Sequence, residues 1–292
     1  MSGGHAIVTG SRGFIGAHLV NRLGEDGWDV SHWKEDVRGI GGHSEPTDVV
    51  FHLAAAARRD RFAASEREAV DVNVLGTLAV LNFCYKTGAR CVLASTSAVY
   101  APRAEGEPLS EGSLIGPSDA YGQSKWLAER ACAAQANDLG VQSIVLRIFN
   151  AYGPGQHTGF LVPAIVGSLS GGAPVPIRMP DAVRDFVYVA DVVDALVCAA
   201  GYGDLDFTVL NIGTGEGTRV RDLLTLAEGV WQSKAEIEPG ERNVGEAEHA
   251  VADIDEEYFW DVESALESMR MIGFSTRVKR FSDLSWGIAC RK

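Results

Sequence analysis

Short apolar runs alternate with longer amphipathic stretches along this chain. His5-Ala6-Ile7-Val8-Thr9, Trp28–Trp33, Thr47–Ala55, Arg90–Ser95 and Gln142–Arg147 have the length and make-up of buried strands. The stretches between them are helical in period. Ile15, Leu19 and Leu23 share one face before Gly24 and Gly27 end the first helix. A second helix is predicted from about Ser65 to Lys86, and a third from Tyr121 to about Leu139. Strands alternating with helices predict an α/β fold, a doubly wound parallel sheet. Right-handed crossovers then set the strand-end loops on one edge, where ligands bind.

After Asn150 the pattern changes, and proline and glycine recur through Pro180. Two further apolar runs, Asp185–Val189 and Val209–Gly213, can return to the sheet. Thr218 is predicted to open another helix carrying Leu223, Leu224 and Leu226, and a last helical region runs to Trp286. The expected division is a Rossmann domain over residues 1–149 and a smaller, mainly substrate-binding domain over 150–292. Residues 186–212 are expected to rejoin the first domain.

The first strand runs into Gly10-Ser11-Arg12-Gly13-Phe14-Ile15-Gly16. Strand, glycine turn and helix in that order are the context of a dinucleotide fingerprint, here spaced G-x-x-G-x-x-G. Gly10 allows the tight turn, Gly13 lets backbone approach a pyrophosphate, and Gly16 lets helix and strand pack closely. The helix start offers free N–H groups to the phosphates. An acid commonly follows the second strand and meets the ribose of NAD. Lys34 stands there instead, followed by Glu35 and Asp36. Lys34 and Arg12 suit a 2′-phosphate, which leans toward NADP; alternatively Glu35 takes the acidic role and the cofactor is NAD. Asp36 and Val37 would edge the adenine. Leu53, Ala54 and Ala55 end the third strand in small residues that let a cofactor lie against backbone. Asn73, in the helix that follows, is a further candidate cofactor contact.

Tyr121 and Lys125 are four apart and share a helical face. A fixed ammonium beside a phenol favours the phenolate and makes a base. Thr96, at a strand end, can hold a substrate oxygen; Ser95 and Ser97 are rivals for that task. On its own, Tyr-x-x-x-Lys also fits a surface pair.

Composition narrows the partners. The 292 residues are 46% hydrophobic and 22% charged, with a net charge of −13, so neither nucleic acid nor an anionic membrane is an expected partner. No apolar run reaches the roughly 18 residues of a membrane span. The five cysteines are scattered without a Cys-x-x-Cys pair and read as reduced and mostly buried, and no metal site is assigned. Met1–His5 lacks the basic and apolar parts of a signal peptide, so a cytoplasmic protein is expected.

The series TGSRGFIG, HLAAAA, NVLGT, STSAVY, YGQSK, RIFNAYGPG, VRDFVYVADV and NIGTG resembles the extended short-chain dehydrogenase/reductases, and more narrowly the NAD-dependent epimerase/dehydratase family acting on nucleotide sugars. The resemblance implies that Tyr121 moves the proton of a sugar hydroxyl, commonly at C4. It implies that Lys125 binds the nicotinamide ribose and lowers the phenol's pKa, and that Thr96 holds the reacting oxygen with Ser97 beside it. Asn150 would contact substrate, and Arg184 and Arg242 would hold the diphosphate of a nucleotide-diphosphate sugar. A homodimer through about residues 65–86 and 121–139 is also implied. Family 4,6-dehydratases carry Asp-Glu after the threonine; Ser97-Ala98 stand here, which disfavours dehydration. The short segment between Trp33 and Pro46 resembles NADPH-using 4-ketoreductases, whereas the Asn150 and Arg184 regions resemble 4-epimerases. The leading expectation is a 4-epimerase. The alternatives are a nucleotide-4-ketosugar reductase and a non-catalytic binding protein on the same fold.

Overall fold

The computed structural model describes residues 3–43, 45–57, 66–103, 106–203, 206–240 and 246–254. Arg242, Ser65 and the last predicted helical region, to Trp286, lie outside the described residues.

Six parallel strands form the central sheet: β1 (His5–Thr9), β2 (Asp29–Trp33), β3 (Val49–His52), β4 (Arg90–Thr96), β5 (Ser143–Ile148) and, later in the chain, Phe207–Ile212. Neighbouring side chains on each strand point to opposite faces. Val8, Phe51, Val92 and Leu146 pack beneath α1 (Phe14–Glu25) and the helix Val189–Ala200. Ile7, Val50, Leu93 and Val145 pack beneath α2 (Glu66–Thr87) and α3 (Ala120–Leu139). Both faces are covered, which is why the strands read as continuous apolar runs rather than alternating ones.

The strand order, from one edge, is Phe207–Ile212, β5, β4, β3, β1, β2. The chain winds one way from β1 to β2 and the other way from β3 onward, so the order reverses between β1 and β3. A crevice opens at such a point, beyond the carboxyl ends of the strands. The β2–β3 crossover is compact. It holds one 3-10 turn, Val37–Gly42, with Val37 and Ile40 buried against α2.

Beyond β5 the chain builds a smaller body on the carboxyl edge. β6 (Asn150–Tyr152) pairs in parallel with Phe186–Tyr188, so the run Asp185–Val189 joins a separate two-stranded sheet instead of returning to the central one as expected. α4 (Leu161–Leu169), α5 (Val189–Ala200) and α6 (Val220–Trp231) follow in chain order, α5 being the helix already placed over the sheet. Tyr152, Ile165, Tyr188, Leu223 and Ala227 share a separate buried cluster there. Thr218 itself pairs with Arg184 in a short antiparallel bridge, and the helix begins two residues later.

Cys84, Cys91 and Cys132 are free and buried. Cys198 is half-buried on α5. Among the described residues no helix is long and apolar enough to cross a membrane.

Candidate active site

Asp119 caps α3: its Oδ1 accepts the Gly122 N–H at 2.7 Å. Gly122 then lies directly on the turn after β4. A Cβ there would overlap the Ala98 carbonyl and come within 2.9 Å of the Pro117 side chain. Lacking one, α3 sits close enough for Tyr121 to reach the end of β4. Thr96 ends β4 and caps the 3-10 turn Ser97–Val99, accepting the Ala98 N–H at 3.2 Å. The Thr96 and Tyr121 side chains share a hydrogen bond. Lys125, one turn on, is 2% exposed. Thr96 and Tyr121 thus meet at one strand end, with Lys125 buried one turn further along α3.

Burial dominates the electrostatics of this cluster, and the expected lowering of the Tyr121 phenol by Lys125 is not found: Thr96 and Asp119 act on it. Burial pushes the Tyr121 phenol up to about 12; the Asp119 carboxylate adds to that and the Thr96 hydrogen bond opposes it. Burial pulls the Lys125 ammonium down to about 8, against Cys132, Glu129 and Cys91, which raise it. Lys125 therefore remains charged at neutral pH. Of the rival hydroxyls, Ser95 is committed elsewhere, donating to Glu129 Oε1 at 2.5 Å, and Ser97 is half-buried in the turn.

The glycine turn lies across the crevice. Gly10 has φ +70°, and a Cβ on it would come 2.8 Å from the backbone of Leu53 and Ala54. Gly13 caps α1 without a side-chain hydrogen bond, so the first-turn N–H groups of Phe14, Ile15 and Gly16 face outward. The turn after β3 is fixed from below. Thr9 Oγ1 accepts the Ala54 N–H at 3.2 Å. Asn73 brackets Ala56, accepting its N–H at 2.7 Å and donating to its carbonyl at 3.2 Å, and donates to Ser124 Oγ at 2.8 Å. Asn73 therefore fastens the β3 turn, which also holds Ala55, to the helix bearing Tyr121. His52 bridges Thr9 and Thr77 in full burial, which drives its pKa down to about 3 with help from the Lys125 charge.

Lys34, directly after β2, and Arg12, in the glycine turn, are exposed. Asp36 caps the 3-10 turn and is gripped by Arg38, whose hydrogen bonds hold the carboxyl down at about 2. Val37 is turned into the core.

On the substrate-facing edge, Asn150 Nδ2 donates to the Asp185 carbonyl at 3.0 Å. Asp185 is buried and accepts the N–H groups of Thr214, Gly215 and Ala252 as well as the Thr214 hydroxyl. Arg184 does not pair with it. Its guanidinium donates to the carbonyls of Val183, Ala247 and Glu248, with Glu246 at 3.9 Å. His157 is exposed and accepts the Gly159 N–H.

Three polar elements of this site escaped the sequence reading: Arg38, the Thr9–His52–Thr77 bridge, and a buried cluster of Glu129, Arg147, Ser95, Tyr100 and Asn211. One signal for the last was available. Glu129 continues the i, i+4 line of Tyr121 and Lys125, and Arg147 is a charge in an otherwise apolar strand.

A parallel sheet with a glycine turn at its crossover crevice defines an α/β protein of the Rossmann type. The chain matches the family model for the NAD dependent epimerase/dehydratase family over residues 6–213. The chain belongs to that family. It is 28% identical to a UDP-glucose 4-epimerase of Rhizobium meliloti, over 87% of this chain and 90% of that protein. It is 33% identical to UDP-glucuronic acid decarboxylase 1 of Xenopus tropicalis, over 65% of this chain but 52% of that protein. The Danio rerio counterpart is matched over 62% of its length, so the chain spans less than two thirds of these two relatives. Among solved structures it resembles the UDP-glucose 4-epimerase of Thermotoga maritima with UDP-glucose, with a TM-score of 0.81 and 26% identity over 90% of this chain and 96% of that one. It also resembles MoeE5 in complex with UDP-glucose and NAD, with a TM-score of 0.83 and 28% identity over 92% and 100%.

Proposed function

We propose that this protein is an NAD-dependent nucleotide-sugar 4-epimerase. The observation that carries the reading is the meeting of Thr96 and Tyr121 at the carboxyl end of β4, with Lys125 buried one turn on, beside the crevice faced by the glycine turn. The crevice fits a dinucleotide: Gly10 and Gly16 leave room where side chains would intrude on the turn, and the α1 N-terminus offers uncapped N–H groups. Gly10, Arg12, Gly13, Phe14, Ile15, Gly16, Leu53, Ala54 and Ala55 would hold it. Asn73 would act from behind, by fixing the β3 turn.

When bound, the nicotinamide supplies reversible hydride acceptance, which is the redox part of the chemistry. Tyr121 takes the proton of the sugar C4 hydroxyl and later returns it. Thr96 holds the same oxygen, and Ser97 lines the sugar side. The Lys125 ammonium, charged at neutral pH, offers N–H donors to the ribose. Between the two half-reactions the 4-keto sugar presents its other face. Asn150 and Arg184 bind the remainder of the nucleotide sugar, the guanidinium suiting phosphate oxygens, and Arg242 is proposed as a second phosphate contact. Residues 1–149, with 186–212, thus serve the cofactor, and the remainder serves the substrate.

The full-length likeness to UDP-glucose 4-epimerases supports a UDP-hexose substrate over a decarboxylase substrate, since the decarboxylases are matched over a smaller share of their length. A second reading, a ketoreductase using NADPH, is favoured by one observation. Lys34 and Arg12 are exposed beside the adenosine end of the crevice, where Asp36 is already occupied by Arg38. We further propose a cytoplasmic homodimer formed through α2 and α3.

The test is incubation of the protein with NAD and UDP-glucose, with products resolved by chromatography. Formation of UDP-galactose, abolished by Tyr121→Phe, supports the reading. Consumption of NADPH with a 4-keto sugar, and no epimer formed, replaces it with the second.

A further inference from the structure

Tyr121, Lys125 and Glu129 follow one another at helical spacing on the buried face of α3. Glu129 is 2% exposed and Arg147 4% exposed. A carboxylate so deep needs full pairing, and it has it. Arg147 donates from Nε and Nη2 to both Glu129 oxygens at 2.8–3.2 Å. Ser95 Oγ donates to Oε1. Ser95 immediately precedes Thr96, so this bond ties α3 to the strand end that carries the reacting hydroxyl.

The cluster continues outward. Arg147 Nη1 donates to the Tyr100 hydroxyl and to the Glu111 carbonyl, each at 3.1 Å. Tyr100 donates to Asn211 Oδ1 at 2.6 Å, and Asn211 donates from Nδ2 to the Leu109 carbonyl at 2.6 Å. Two residues beyond Asn211 begins the Gly213–Gly215 turn held by Asp185, next to Arg184 and Asn150. Three adjacent strand ends are thereby cross-linked beneath the crevice.

We infer that Glu129 is a positioning residue: it holds Ser95 and Arg147 so that Thr96 keeps its place opposite Tyr121, and it stands as the counter-charge behind Lys125. This rests on the proposed roles of Thr96, Tyr121 and Lys125. The titratable groups that act on Lys125, or feel its charge, are Glu129 and Cys132 from its own helix, His52 from β3 and Cys91 from β4. Asp119 acts on Tyr121, and Cys84 acts on Cys91. Glu129 is the carboxylic acid among those acting on Lys125, and its direct ion pair is with Arg147.

The experiment compares the full chain with Glu129→Gln, which keeps the shape and an acceptor for Ser95 but removes the charge. Lysine is labelled with carbon-13; there are six lysines, and Lys125→Arg assigns the signal. The expected result is a Lys125 titration midpoint lowered by one pH unit or more. The alkaline limb of kcat on UDP-glucose should move down with it, at a KM within twofold. A midpoint that stays or rises overturns the inference. Because Glu129→Gln leaves Arg147 buried without its partner, Ser95→Ala is the second variant. Its ion pair is intact, so it should fold, exchange the Thr96–Val99 amide protons faster, and lose about tenfold in kcat. Unchanged exchange overturns the inference. A parent without turnover on UDP-glucose counts against the epimerase reading, while the lysine midpoint and amide exchange decide the part of Glu129 independently.

Discussion

Gly122 lies so close to Ala98 that a Cβ on it would overlap the Ala98 carbonyl oxygen. That approach lets the first turn of α3 rest on the turn after β4, and so lets Tyr121 meet Thr96. Gly122→Ala must push helix and turn apart. Overpacking of this kind costs roughly 1–3 kcal/mol. The expected outcome is a lower melting temperature together with a loss of turnover larger than the stability loss alone explains. Thermal unfolding and kcat on UDP-glucose measure both; a fully active Gly122→Ala protein would show that the close approach is incidental.

Much of this arrangement was legible in the sequence, and the part that was not has a common character. Strand and helix periods placed Thr96, Tyr121, Lys125 and the glycine turn on one sheet edge, because burial on both faces leaves a strong apolar signature. The compact β2–β3 crossover was visible as a short segment. Contacts between elements were not. Glu129 and Arg147 are 18 residues apart, and nothing local distinguishes a buried ion pair from two solvated charges. Asp36 read as a ligand contact but is held by Arg38, two residues on. Leu75 and Leu78 sit among the apolar residues of α2, yet at 47% and 39% exposure they are not core.

Lys125 should destabilise the empty protein at neutral pH. Its folded pKa, about 8, lies below the unfolded value of about 10.4. Between those values the unfolded chain binds more protons, so stability rises with pH across that window and the penalty is fully present below it. The shift corresponds to a penalty on the order of 3 kcal/mol. Lys125→Met is therefore expected to be more stable than the parent at pH 7, with the gap closing toward pH 10.5. Denaturant unfolding of both proteins without cofactor is the measurement. A variant less stable at pH 7 would mean that the ammonium is compensated in the folded state.

His52 works in the opposite pH range. Its folded pKa is near 3, against about 6.5 when unfolded. Protons bind preferentially to the unfolded chain in that interval, so stability falls as the pH drops from 6.5 toward 3. His52→Gln, which can still bond Thr9 or Thr77, should flatten this acid limb while costing about 1–3 kcal/mol at pH 7 through one lost buried partner. Unfolding midpoints measured from pH 4 to pH 7 test it. Parallel curves for the two proteins would assign the acid loss to other groups.

Cofactor choice turns on Lys34 and Arg12. If they meet a 2′-phosphate, Lys34→Ala with Arg12→Ala should weaken NADPH binding by tenfold or more and leave NADH binding within twofold. If the cofactor is NAD, the same variant should leave NADH binding nearly unchanged, and Lys34→Asp should favour NADH further by supplying a ribose acceptor. Calorimetric titration of each protein with each reduced cofactor separates the cases. Equal affinities in parent and both variants would remove these two side chains from the cofactor site.

Leu75, Leu78 and Tyr85 lie along one stripe of α2, at 47%, 39% and 54% exposure, and Leu127 on α3 is 49% exposed. Scattered apolar residues are ordinary on a surface, but a stripe on two packed helices is a surface that a second copy can cover. Burying the exposed half of each leucine contributes roughly 1 kcal/mol. The parent should therefore sediment as a dimer at micromolar concentration. Leu78→Glu with Leu127→Glu should sediment as a monomer, because two carboxylates would be buried against an apolar face. The central sheet lies beneath these helices, so the monomer should retain its circular dichroism spectrum and its cofactor affinity. A parent that sediments as a monomer, or a doubly charged variant that remains dimeric, would rule out this face as the interface.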